Sequence, residues 1–301
     1  MKISRRDLNT IIENFLLLEK VSEDIISSEF KKALAQIKKE VMSLSNISES
    51  NRKKVSDILD RTHLYIVPAD DPISNSKDLM GVDGYARHLS FSPSGERFKE
   101  TIDDSIIKDE TLKSAYNAKP ITNPIVVIVQ KNVKDTKALQ QLLLHEIGHI
   151  KNNFLKITEG ITLNVEEIRN LLRKDFQGKS AIDIMNTLKS ENRIDKTRDN
   201  TNTIRLIKAY KRYYDGVFAD PPDEMGVDEF AVRVAELKRD TDILDAISLN
   251  AAEVMTLNQM DQQYGSDVAG LALFLDKDAT SELINKVAKV KRQDAIKSVT
   301  V

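Results

Sequence analysis

The chain has 301 residues, with 45 Lys and Arg against 47 Asp and Glu, a formal net charge of −2, four His and no Cys. This composition reads as globular, and it excludes a disulfide framework, a thiolate zinc finger, an iron–sulfur cluster and a cysteine nucleophile. A nearly neutral balance argues against coating nucleic acid by bulk charge, so no nucleic-acid partner is expected. No apolar run reaches the roughly 18–20 residues that span a bilayer, so no membrane association is expected. The opening residues lead into a charged amphipathic stretch rather than a secretory core, and the expectation is a cytoplasmic protein.

In chain order, residues 7–60 read as helices. Leu8, Ile11, Ile12, Phe15, Leu18 and Ile25, then Phe30, Leu34, Ile37, Val41 and Leu44, recur at steps of three and four, with Lys and Glu opposite. His63 to Val67 reads as a short strand, residues 69–84 as loop, and Tyr85 to Phe91 as a strand that returns over Arg97 to Ile102 as a hairpin. Ile125 to Val129 is a β-branched apolar run, the pattern of a strand buried on both faces. Asp135 to about Asn153 reads as a helix with the stripe Leu139, Leu143, Ile147 and Ile150. A further helix is expected over 165–174, opened by Asn164 as cap. The polar residues 187–203 read as a mobile connection. Ile204 to Tyr214 and Val227 to Lys238 read as helices, with loop at 215–223 between them. Residues 240–301 read as helical, broken by a loop near Gln263 to Ser266.

The helix after the buried strand contains His145-Glu146-Ile147-Gly148-His149, an H-E-x-x-H pattern. Residues four apart on a helix share a face, so both imidazoles can reach one ion. Glu146 stands about 100° further round the axis and can address a metal-bound water without being a ligand. A catalytic zinc takes three protein ligands and keeps one position open. The competing reading is that the two histidines decorate a helix surface.

This motif on this helix resembles the zincin metallopeptidases, over about residues 61–240. The resemblance implies an α+β fold, mostly helical, in which a small twisted sheet lies over the H-E-x-x-H helix, with helical extensions at both ends. It divides the chain into a helical segment 1–60, a zincin-like domain 61–240 and a helical segment 241–301. It also implies a bound Zn2+ and a polypeptide substrate, hydrolysed by a zinc-bound water that Glu146 activates. An edge strand would align the substrate backbone.

A third histidine of the metzincin kind is ruled out, because no His follows His149. His63 and His88 lie upstream and read as ordinary hydrogen-bonded residues. The expected third ligand is a carboxylate, which makes the site gluzincin-like, with an aspzincin-like site as the alternative. The stretch Asp228-Glu229-Phe230-Ala231-Val232-Arg233-Val234-Ala235-Glu236 is similar to the helix that supplies the Glu ligand in ImmA/IrrE-like metallopeptidases, and it places Glu229 at the metal. The plain alternative is that Glu229 pairs with Arg233 on a solvated face. Glu166 and Glu167 are the competing ligands, at a distance from His149 close to that in thermolysin-like enzymes; there the plain reading is acid placement in a first helical turn. Glu229 is preferred because Ala231 and Ala235 allow its helix a close approach. Tyr210, Tyr213, Tyr214 and His88 are the candidates for stabilising an oxyanion.

The opening Met1-Lys2-Ile3-Ser4-Arg5-Arg6-Asp7-Leu8-Asn9-Thr10-Ile11-Ile12 is similar to the start of many structural proteins of large tailed bacteriophages, which implies a phage-encoded or virion-associated setting. The alternative to an enzyme is therefore a non-catalytic docking protein that retains a zincin fold and engages a protein partner through its helical flanks.

Overall fold

A computed structural model of the chain describes residues 21–69, 84–87, 124–159, 165–195 and 201–285. The chain divides into two compact units, Met1–Ile161 and Thr162–Val301. The expected helix over 7–20, the return strand at 97–102 and His88 lie outside the described residues. Among the described residues, no helix is long and apolar enough to cross a membrane.

In the first unit, α1 (Glu23–Ser43) starts where the Ser22 hydroxyl accepts from the Ile25 amide, with Glu23 and Asp24 in the favourable first turn. Its stripe of Ile26, Phe30, Ala33, Ile37 and Val41 is buried. Ser48 caps α2 (Glu49–Leu59), which buries Val55 and Leu59. The sheet has three strands, β1 (His63–Val67), β2 (Gly84–Arg87) and β3 (Ile125–Val129), in the order β1-β3-β2. β3 runs parallel to β1, with His63 opposite Ile125, and antiparallel to β2, with Gly84 opposite Ile128. All five residues of β3 are buried, as expected of the central strand.

α3 (Thr136–Glu159) begins at Asp135, whose carboxylate accepts from the Ala138 amide at 2.8 Å. Leu139, Leu143, Ile147 and Ile150 are fully buried and share one core with α1, α2 and the side chains of Val126 and Ile128. β2 comes so close that a Cβ on Gly84 would stand 2.8 Å from the Val127 carbonyl oxygen and 3.2 Å from a Leu142 methyl, a space only glycine leaves. A buried polar contact also ties α1 to α3. Glu29, 5 % exposed, accepts from Lys32 and from Gln140, each at 2.6 Å.

Among the described residues, the regular elements of the second unit are helices: α4 (Val165–Leu171), α5 (Ala181–Ser190), α6 (Thr201–Phe218), α7 (Glu224–Arg239), α8 (Thr241–Ala251), α9 (Leu257–Tyr264) and α10 (Ser266–Phe274), with a further helical stretch over 277–285. The core centres on Phe274, stacked on Tyr214 at 4.7 Å and met edge-on by Phe176 and Phe230. The Arg173 guanidinium lies 4.0 Å from the Phe176 ring centroid and reaches Glu191 at 2.6 Å. Gly265, at φ 91°, makes the break between α9 and α10 near the expected loop.

Two expectations are corrected here. Residues 187–203 are not simply a polar connection: α5 runs to Ser190, launched by a capping box between Ser180 and Asp183, and Ile184 and Leu188 are fully buried. Beyond it, Arg193 and Ile194 are buried too. Arg193 donates to the Asn250 side chain and to the Ala272 carbonyl, at 2.7 and 2.6 Å, and that recruits a charged stretch into the interior. Burial, with the nearby charge of Arg173, pushes its guanidinium down to about 10. The expected loop at 215–223 is also shortened, because α6 continues to Phe218 and buries Val217.

Two stability tests follow from this packing. Lys32 and, after it, Gln140 hold the Glu29 carboxyl below its ordinary value of 4.5. The folded state then releases this proton more readily than the unfolded chain, so the Glu29 contribution is complete above about pH 4.5 and is lost as pH falls through the lower folded value. Glu29→Gln should flatten the acid limb of a stability profile measured by urea unfolding. In the second unit, a Cβ on Gly270 would stand 2.3 Å from the Tyr210 ring. Gly270→Ala should cost on the order of 1–3 kcal/mol, read as a lower urea midpoint.

Candidate metal centre

The rotation of α3 is set by its buried stripe, and the rotation places the motif. His145 and His149 are about 40° apart round the axis, on a different side from Ile147. His145 and Glu146 are 5 % and 7 % exposed, and His149 is half-buried. Surface decoration is therefore excluded for the first two positions. The two imidazoles approach edge to face, with ring centroids 4.5 Å apart and Nε2 atoms 3.0 Å apart. At that distance one ring nitrogen donates to the lone pair of the other. Two nitrogens bound to a single tetrahedral ion at ordinary bond lengths lie roughly 3.3 Å apart, so the pair is close to a ligating arrangement.

α7 is positioned by a different core. Asp223 caps it, and Val227, Phe230 and Leu237 anchor it among the aromatic residues of the second unit. That leaves Glu229, Arg233 and Glu236 together on another face. The Arg233 guanidinium donates through Nε to Glu229 Oε1 and through Nη1 to Glu236 Oε2, both at 3.1 Å. The Glu229–Arg233 pair of the plain alternative exists, but the face is not solvated: the side chains of Glu229, Arg233 and Glu236 are 12 %, 11 % and 11 % exposed. Charges so sheltered are held by pairing, since burial of an unpaired one is costly.

His145, His149 and Glu229 each offer one ligand atom, and these atoms all lie within 4.8 Å of one another. Two imidazole nitrogens and a carboxylate oxygen can hold a metal ion. Among the described residues, this is the set of three that meets the condition. Glu166 and Glu167 are not in it. Both are exposed, and Glu166 pairs with Arg169 at 2.8 Å in the first turn of α4. His63 heads β1, where its amide bonds the Pro124 carbonyl.

The structure gives contacts for the three tyrosines named as candidate oxyanion donors. The Tyr214 hydroxyl donates to the Arg173 carbonyl, the Tyr213 hydroxyl accepts from Arg212, and the Tyr210 ring packs on Gly270. Arg233 and Glu236 are the additions that the sequence reading did not single out as part of a site. Their signal is the spacing 229, 233 and 236, which repeats a helical stripe with charges in place of apolar residues.

No family model matches the chain, and no curated protein or solved structure is significantly similar to it. The chemistry of the site therefore rests on its own residues. Exposed to Zn2+ and then washed, the parent protein should retain metal, as should Glu166→Ala. His149→Ala and Glu229→Ala should lose it, measured by elemental analysis. Loss in Glu166→Ala with retention in Glu229→Ala would transfer the third ligand to the first turn of α4.

Proposed function

We propose that the chain is a zinc-dependent metallopeptidase of the zincin type, with His145, His149 and Glu229 as ligands and Glu146 as the general base. The observation that carries this reading is the grouping of two imidazole nitrogens and one carboxylate oxygen within 4.8 Å of one another, with the buried Glu146 next to His145 in the chain. The donor set fits zinc: nitrogen and carboxylate ligands in this number belong to catalytic zinc sites, which keep a further position open. Zinc bound there supplies Lewis acidity, which lowers the pKa of water and polarises a carbonyl group.

The protein's own part falls to Glu146. It accepts a proton from the attacking water as the new C–O bond forms, then delivers that proton to the amide nitrogen as the C–N bond breaks. Atoms balance with water as the one co-reactant, and the products are a carboxylate and an amine. The low exposure of His145 and Glu146 limits competing water and strengthens each charge interaction. A polypeptide is the substrate that the resemblance to zincins implies, and among the described residues β2 stands at one end of the three-strand order.

The test separates metal binding from chemistry. With unstructured casein as the probe, Glu146→Gln should lose about 100- to 10,000-fold in cleavage rate while its zinc content stays at the parent level. Cleavage by Glu146→Gln at the parent rate would overturn the assignment of the base. A zinc-loaded parent that leaves casein and a library of unfolded polypeptides intact would overturn the peptidase reading.

A further inference from the structure

Glu229 does not stand alone on α7. Its Oε1 accepts from Arg233, and Arg233 simultaneously donates to Glu236 one turn further along. All three side chains are nearly buried. The planar guanidinium spans two carboxylates with two different nitrogens, a geometry that a lysine ammonium cannot reproduce. The far carboxylate fixes the guanidinium, and the guanidinium in turn fixes the near carboxylate.

We propose that Arg233 is a positioning residue for the metal, with Glu236 as its anchor: it holds the Glu229 carboxylate in one orientation and confines it to ligating through a single oxygen. The proposal rests on the reading of Glu229 as the third ligand. A glutamate has three side-chain torsions to restrict, and a carboxylate oxygen already occupied by a strong donor is less available to a metal. One-oxygen ligation keeps the number of protein ligand atoms at three and preserves the open position that catalysis needs. Hydrogen-bond partners of ligands commonly set metal affinity in this way.

Simple charge counting leads to the opposite expectation. The trio carries a charge of −1 with Arg233 and −2 without it, so removing the cation should draw a metal ion in more tightly. Orientation outweighs that attraction here, because without Arg233 the Glu229 side chain is no longer held in its ligating orientation and its torsions must be restricted when the metal binds. Affinity should therefore fall when Arg233 is removed, and the sign of the change decides between the two effects.

The experiment measures zinc affinity by competition with a chelator, together with the visible absorption of the cobalt-substituted protein. It compares the parent, Glu229→Ala, Arg233→Met and Arg233→Lys, and each variant's fold is checked by circular dichroism. Arg233→Met should bind zinc about 10- to 100-fold more weakly than the parent, and Arg233→Lys should recover part of the loss. In Arg233→Met the cobalt absorption should weaken as Glu229 becomes able to bind through both oxygens and the coordination number rises. If Arg233→Met does not fold, the same comparison is made on Arg233→Lys, whose spectrum should shift in the same direction.

Parent-like or tighter zinc binding in the Arg233 variants, with an unchanged cobalt spectrum, overturns the role of Arg233 while leaving Glu229 as ligand. Parent-like binding by Glu229→Ala overturns the ligand assignment itself. A parent that takes up no metal overturns both.

Discussion

One helix has to satisfy two demands, and the rest of the first unit is arranged around that. α3 must bury Leu139, Leu143, Ile147 and Ile150 completely, and the same turns carry His145, Glu146 and His149. At about 100° per residue, fixing the apolar stripe fixes the direction of every other side chain on the helix. Burial of four large aliphatic side chains contributes on the order of 6–12 kcal/mol, far more than any rotation of the imidazoles could recover. The core that receives the stripe is correspondingly built in: α1 and α2 share it, β3 supplies Val126 and Ile128, and Gly84 lets β2 approach closely. Because the interior is close-packed, a helix held in this way presents its motif in one orientation rather than a range.

The second unit solves a different problem with the same physics. It has no sheet among the described residues, and its core is assembled around Phe274, with Tyr214, Phe176 and Phe230 in contact. Charged residues enter that interior in pairs or with polar partners. Arg193 is satisfied by Asn250 and the Ala272 carbonyl, and Arg173 by Glu191 beside an aromatic face. The Glu229–Arg233–Glu236 chain on α7 follows the same rule on a less buried face. Each such contact holds an element in one rotation, since an unpaired buried charge is the costly alternative.

Much of the fold was legible wherever a single local period dominated. The continuous run of Ile125 to Val129 marked a buried central strand, and the stripe on α3 marked both the helix and its buried face. Alternation at Tyr85 announced β2, which the structure describes over Gly84–Arg87. Legibility failed where polar residues are buried through long-range partners. Arg193 looks like part of a solvated connection until Asn250 and Ala272, distant in sequence, are brought beside it. For Glu229 the helical ion pair with Arg233 on a solvated face stood as the plain alternative to a metal ligand, because their spacing says nothing about what covers them.

By itself, the sequence determined the H-E-x-x-H block, its place on a helix following a buried strand, and the need for a carboxylate if a third ligand is present. These follow from local spacing and from the absence of Cys and of any His beyond 149. Tertiary structure supplied what the sequence could only prefer: ligand atoms of His145, His149 and Glu229 that all lie within 4.8 Å of one another. Glu229 lies 80 residues beyond His149, whereas Glu166 is only 17 away and yet stays exposed beside Arg169. Helical period reaches one or two turns along a chain. Partners that far apart are brought together only by burial of apolar surface in the folded chain, which local spacing does not encode.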